Sequence, residues 1–154
     1  MTLNNELELT IPEGFHEVDE EERSKLTFAG GEPGLCISNP DLHIVVTVGW
    51  RRLVRLAAFA VTARSAATDT EIQISKMMKR LNYQEKGFSD RELGGKSASG
   101  FRYIYDSKNT KMMGETFFVK NGKTLYGINY YGRRSLEKES MPAWKELLDS
   151  MRWV

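Results

Sequence analysis

The sequence predicts an α+β fold in which helices cover a large antiparallel sheet. The chain reads as mostly β from "YQEKGFSDREL" at Tyr83 to about residue 133, with period-two alternation in "KSASGFRYIYDS", as a meander of about four strands. Hairpin signals join these strands: "SKNTK" (Ser107 to Lys111) and the pair Asn121-Gly122. Helical spacing of apolar residues appears before the meander and again after it, so helices are available to cover its faces.

The elements follow in order. "ELELTI" alternates strictly, with Leu7, Leu9 and Ile11 on one face, and predicts a half-buried strand over residues 6–11. Pro12 to Gly14 closes it with a turn. "DEEERSKL" (Asp19 to Leu26) carries acids first and cations last, which suits a short helix and its dipole. "AGGEPG" (Ala29 to Gly34) reads as a loop and "SNPD" (Ser38 to Asp41) as a turn. "LHIVVTVGW" (Leu42 to Trp50) is β-branched and aromatic and predicts a central strand. In the next stretch Leu53, Leu56, Ala57 and Ala60 sit at helical spacing. Thr68 and Glu71 form a capping-box pattern, and Ile74, Met77, Met78 and Leu81 follow at i, i+3, i+4 and i+7. The spacing predicts a helix over residues 69–81. "KSASGFRYIYDS" then places Phe101, Tyr103 and Tyr105 on one strand face. "MMGETFFVK" and "KTLYGINYY" continue the meander around Asn121-Gly122, read as a type I′ turn. Ser140 is the expected cap of a last helix with Pro142 in its first turn and Met141, Trp144, Leu148 and Met151 as its apolar stripe.

Composition bounds the function. The 154 residues fit one domain, 1–154, large enough to need no disulfide or metal staple. The net charge of +1 gives no global pull toward nucleic acid or membrane. Its distribution is uneven: residues 1–34 hold nine acids against two cations, and residues 96–134 hold eight cations against two acids. A single cysteine, Cys36, is compatible with a reducing compartment. "MTLNNELELT" shows neither the basic nor the apolar region of a signal peptide, so a cytoplasmic location is expected. The stretch Val48–Ser65 is apolar but carries four arginines, which excludes a membrane span.

Few residues suggest chemistry. Cys36 and His43 could pair as nucleophile and base, but a small buried thiol and a strand-end histidine are the simpler reading. One cysteine and two histidines cannot build the usual zinc set, and "DEEE" (Asp19 to Glu22) reads as a solvated helix start. "AGGEPG" lacks the Gly-Lys-Ser/Thr ending of a phosphate loop, and "GKSASG" opens a strand instead of a helix. Alternating aromatics in "SGFRYIYD" resemble an RNA-stacking strand, yet the element order differs from that fold, so nucleic acid is not an expected partner. The aromatic face is expected to be core under a helix, with Trp144 and Trp153 on the terminal helix as its partners. No catalytic, cofactor or metal residues are assigned.

What remains is the arginine-rich stretch. Its simplest reading is a helix whose arginine stems lie over apolar surface. Its functional reading is an exposed surface that docks an acidic partner or an anionic lipid surface through Arg51, Arg52, Arg55 and Arg64. The alanine-rich, Phe59-bearing face is expected to pack inward, leaving contact to the arginines alone. Lys120, Asn121 and Lys123 of the hairpin form a second group of contact candidates.

Four segments in chain order resemble PsbP-like and DcrB-type domains: "LTIPEGF" (Leu9 to Phe15), "GGKSASGFRY" (Gly94 to Tyr103), "KNGKTLYGINYYGR" (Lys120 to Arg133) and "LLDSMRW" (Leu147 to Trp153). The resemblance implies an α/β/α sandwich whose central antiparallel sheet has about six strands. It also implies a mostly non-enzymatic group of binding proteins, including a photosystem II subunit, envelope proteins and adaptors for secreted effectors, with no shared catalytic residues. A binding module or adaptor that recognises another protein is therefore the expected function. A small enzyme or ligand-binding protein, with a pocket between sheet and helices, and an anionic-membrane binder acting through residues 51–64 are the alternatives.

Overall fold

The structure, a computed structural model, describes residues 1–24 and 33–154. Its elements are β1 (Thr2–Leu3), β2 (Leu7–Glu8), β3 (His16–Glu17), α1 (Glu20–Ser24), β4 (Leu35–Asn39), β5 (Ile44–Arg52), α2 (Arg55–Ala60), α3 (Ala63–Met77), β6 (Gln84–Leu93), β7 (Lys96–Ser107), β8 (Thr110–Asn121), β9 (Thr124–Arg133), α4 (Glu137–Asp149) and β10 (Arg152–Trp153). Seven strands form an antiparallel sheet in the order β3-β4-β5-β9-β8-β7-β6, and β1-β2-β10 form a small second sheet. The expected meander of about four strands is β6 to β9, with the charged run "QEKGFSDREL" as its outer strand, and the large sheet exceeds the expected size because β3 and β4 extend its other edge, Ser38 and Asn39 of the expected turn "SNPD" lying in β4. Of the strand expected over residues 6–11, only Leu7–Glu8 pairs, although the alternation holds, with Leu7 and Leu9 buried between exposed residues. Of the loop "AGGEPG", residues 29–32 lie outside the described residues, as do Lys25 and Leu26 of the first expected helix.

Register assigns the faces. Phe101, Thr116, Asn129, Thr47 and Cys36 stand opposite one another across five strands and share one face. Their neighbours Arg102, Glu115, Tyr130, Val46 and Ile37 share the other. On that second face, Val46, Val48, Phe117, Ile128 and Tyr130 form the main core with Trp144, Leu147 and Leu148 of α4 and with the small sheet. On the first face, α3 lays Ala67 and Ile74 over Phe101 and Tyr103. Helices thus cover the sheet from both sides, with α2 and α3 on one and α4 on the other.

Three expectations about helices change. The α3 helix starts at Ala63, six residues earlier than expected, because Thr62 and Ser65 form the reciprocal capping box and Thr68 instead returns its hydroxyl to the carbonyl of Arg64. Met77 and Leu81 are consequently exposed, and only Ile74 of the expected stripe is fully buried. The α4 helix starts at Glu137, which places Ser140 inside it and buried, not at its cap. The aromatic partners also change. Phe101 and Tyr103 pack with Phe88, Tyr83 and Tyr105, whereas Trp144 stacks on Tyr130 and Trp153, in β10, meets Tyr126.

The hairpin turns are corrected too. Asn121 pairs with Thr124, so the two-residue loop is Gly122-Lys123, with a left-handed φ of 60° at Gly122 only. That single positive φ at the first central position suits a type II′ turn. The double positive φ of type I′ occurs at Lys108-Asn109 (49° and 64°) and at Gly94-Gly95 (60° and 87°).

Candidate functional site

The arginine-rich stretch does not form one helix. Its first residues extend β5 to Arg52, whose register partner on β9 is Thr124. Leu53 then turns inward. It is 3% exposed, packs with Ala66 and Leu125, and donates its N–H to the carbonyl of Lys123 at 2.6 Å. From this anchor the chain makes the short α2, whose run Arg-Leu-Ala-Ala-Phe-Ala contains no β-branched residue. Val61 and Thr62 return to extended backbone and end it.

The α2 helix keeps its alanines inward as expected but turns Phe59 outward. Its small residues Ala57 and Ala58, with Val61, pack against the cluster of Leu53, Ala66 and Leu125. Val54, Leu56 and Phe59 therefore project outward, 75%, 86% and 90% exposed. The Phe59-bearing face is a surface, and the arginines do not act alone.

The charged candidates divide into two sets. Arg51, Arg52 and Arg55 are exposed, and Lys123 is exposed in the turn whose carbonyl holds Leu53. These four cations are gathered at the end of the sheet from which α2 projects. Arg64 lies on α3 and pairs with Asp90 of β6 at 3.3 Å. Lys120 turns its Nζ to the carbonyls of Ala58 and of Val61, the latter at 3.0 Å, and so caps the C-terminal end of α2. Asn121 is a half-buried strand residue opposite Thr124. Exposed apolar side chains on a segment dense in arginine were the signal available in the sequence. Helical spacing concealed it, because Leu53 belongs to the anchor and not to the helix.

Beside this platform a cavity of about 450 Å³ opens between α3 and the sheet. Gly49 and Gly127, register partners on β5 and β9, form part of its floor, since neither carries a side chain toward α3. Ile74 and Phe118 supply apolar wall. Its polar floor is Thr47 and Asn129, held in a ladder in which Asn129 Nδ2 donates to Thr47 at 3.1 Å and the neighbouring Thr116 donates to Asn129 Oδ1 at 2.5 Å. No histidine, cysteine or lysine is among the described residues lining it, and its carboxylate, Asp69, is exposed. The opposite face holds a buried acid, Glu115. It accepts from Arg102 Nε at 2.7 Å and from Trp144 Nε1 at 2.8 Å, which ties α4 to the sheet.

Other groups named by the sequence are kept apart or held inert. Cys36 is buried in β4 while His43 is exposed in the turn after it. Burial pushes the hydroxyls of Tyr83, Tyr103, Tyr105 and Tyr130 up, and those of Tyr126 and Tyr131 to about 12, so they stay protonated at neutral pH. Among the described residues, no three histidine, cysteine or carboxylate side chains cluster as metal ligands, and no helix is long and apolar enough to cross a membrane.

No family model matches the sequence, and no curated protein matches it. Solved structures do match the fold. LpqN of Mycobacterium tuberculosis, involved in cell envelope biogenesis, aligns with a TM-score of 0.67 at 14% identity over 96% of this chain and 83% of its own. The cyanobacterial PsbP of Synechocystis sp. PCC 6803 aligns with a TM-score of 0.67 at 11% identity over 99% of this chain and 89% of its own. A protein of Bacteroides thetaiotaomicron aligns with a TM-score of 0.60 at 11% identity over 96% of this chain but 45% of its own. The chain has a PsbP-like fold.

Proposed function

We propose that this protein is a non-catalytic binding module that docks through the α2 platform. One observation carries the reading: Val54, Leu56 and Phe59 project into solvent on a segment that also carries the exposed Arg51, Arg52 and Arg55, beside the turn that holds the exposed Lys123. Large apolar side chains this exposed cost solvation free energy unless something covers them, and a cationic surround selects what does. The protonated tyrosines and the separation of Cys36 from His43 favour binding over proton transfer or nucleophilic chemistry. A DcrB-type kinship and a cytoplasmic location, with which the lone cysteine is compatible, belong to the same proposal.

The test is retention of cellular components from lysate, comparing wild type with the Arg51→Glu, Arg52→Glu, Arg55→Glu variant at matched thermal stability. Wild type is expected to hold a component that the variant releases. Equal retention by both would move the contact surface away from α2 and end the reading.

The cavity favours a second reading, a small ligand held beneath α3, because paired glycines keep its floor open. Its mixed lining suits a ligand with one hydrogen-bonding end and one apolar end. Thermal-shift screening with wild type and Gly49→Val would check it: a hit that stabilises both chains equally would rule out this cavity.

A further inference from the structure

We infer that the surface docked by the α2 platform is an anionic lipid bilayer, with Leu56 and Phe59 inserted at the level of the headgroups. The inference rests on the platform being the contact surface, as proposed above.

Charge supplies the first argument. From Val48 to Thr68 the sequence contains no Asp or Glu, and the platform gathers Arg51, Arg52 and Arg55. Each cation near an anionic bilayer contributes about a fivefold gain in partition. Shape supplies the second. The helix has six residues and buries none of them, so its outer surface is a small protrusion. A stable protein interface needs about 800 Å² from each partner, and three side chains on one short helix do not provide it. An interfacial anchor needs only an apolar tip reaching about 5–10 Å into the headgroup boundary and cations at its base.

The backbone supplies the third. Polar backbone groups entering an apolar medium must be satisfied within the protein. In α2, Ala58 N–H bonds to the carbonyl of Val54 and Val61 N–H to that of Ala57, both at 2.8 Å. The carbonyls of Ala58 and Val61, at the end of the helix, are taken by Lys120. Lys120 thus satisfies the C-terminal end of α2, while the first turn after Val54 has no side-chain cap and stays at the hydrated level of Arg55.

The experiment is co-sedimentation with phosphatidylcholine vesicles, pure or mixed with phosphatidylglycerol. Four proteins are compared: wild type, the Arg51→Glu, Arg52→Glu, Arg55→Glu variant, the Leu56→Ser, Phe59→Ser variant, and Arg64→Glu. The substituted positions are exposed, and circular dichroism confirms that each variant is folded before sedimentation is compared. Wild type is expected to sediment with the mixed vesicles and not with the neutral ones. The serine variant should lose at least about tenfold in partition and the glutamate variant about a hundredfold. Arg64→Glu should sediment within about twofold of wild type, because Arg64 lies on α3 and is paired with Asp90 of β6. Failure of wild type to sediment, or sedimentation unaffected by loss of Leu56 and Phe59, would overturn the inference. If vesicles fail while a soluble protein is retained from lysate and released by the serine variant, the platform stands and the lipid falls. If neither is bound, both fall.

Discussion

The two faces of the large sheet are built from the same strands and finished differently. Beneath α4, Phe117, Ile128, Tyr130, Trp144, Leu147 and Leu148 are each no more than 3% exposed, and they join the small sheet in one continuous core. Beneath α3, only Ala66, Ala67 and Ile74 of the fifteen-residue helix are buried, and a cavity remains between helix and sheet. Side-chain size explains the contrast. The α4 helix turns a tryptophan and two leucines inward, whereas α3 and α2 turn mostly alanines inward. One face is closed by bulk, and the other is held at close range by small residues that leave large ones outside. The first suits stability and the second contact with something else.

Removing the bulk should have the largest effect. Trp144→Ala is expected to cost about 3–5 kcal/mol, through cavity formation and through the loss of a donor to the buried Glu115. Urea unfolding would measure it. Ile74→Ala beneath α3, where the cavity already exists, should lie at the lower end of the range for its type, about 2 kcal/mol. Equal losses would mean that the open face is as tightly packed as the closed one.

Alkaline pH probes both faces together. Tyr126 packs against Trp153 on the closed face, while Tyr131 stands in register with Gly114 on the other, and both titrate at about 12. A tyrosine with a raised value holds its proton more tightly when folded. Stability is therefore complete below pH about 10 and falls as pH rises toward 12, because the unfolded chain ionises first. Each tyrosine should contribute a slope approaching 1.4 kcal/mol per pH unit, roughly, in that window. Tyrosinate absorbance followed alongside unfolding would check it. Ionisation of all tyrosines near pH 10 without unfolding would contradict the burial.

These contrasts were only partly legible in the sequence. Alternation in "KSASGFRYIYDS" and the hairpin signals disclosed the meander, because period-two burial is a local property. The strand β4 stayed hidden because "LCISN" is five residues long, is buried on both faces and so shows no alternation, and runs into the turn signal at Pro40. The residues of the platform were named, but the direction of Phe59 was misread. Leu53, Leu56, Ala57 and Ala60 fit a helix only if the helix starts before Leu53, and whether β5 runs on to Arg52 is decided by pairing with Leu125 and Thr124, more than seventy positions away. Tertiary register, not local spacing, set which side of α2 faces out. The position of Lys120 at the end of α2 was hidden for the same reason, since its partners at Ala58 and Val61 are about sixty positions distant.

Two glycines sharpen the comparison at the scale of a single methyl group. A Cβ on Gly100 would lie 2.0 Å from the backbone oxygen of Thr116, so Gly100→Ala must push β7 away from β8. A Cβ on Gly49 would find its nearest neighbour, Pro33, at 3.9 Å. Gly100→Ala is expected to lose about 1–3 kcal/mol or more, and Gly49→Ala less than about 0.5 kcal/mol. Thermal melts of the two variants side by side would test it, and a Gly49→Ala loss as large as that of Gly100→Ala would mean that the cavity floor is already filled.

The smallest effect belongs to the ion pair that ties α3 to the outer strand. Arg64 and Asp90 meet at 3.3 Å, with their side chains 70% and 63% exposed. At such exposure, solvent screening and the entropy of two ordered side chains offset most of the attraction, leaving between about 0 and 1 kcal/mol. Asp90 also accepts from Ser99 at 2.7 Å, so it keeps a partner when Arg64 is removed. A double-mutant cycle of Arg64→Ala and Asp90→Ala, read by urea unfolding at low and high salt, should show a coupling that salt abolishes. A coupling well above about 1 kcal/mol would make Arg64 part of the fold and disqualify it as a control for the platform. A value near zero would make the contrast with Arg51, Arg52 and Arg55 one of position alone: the same charge on the same stretch of sequence, carried on α3 instead of on β5 and α2.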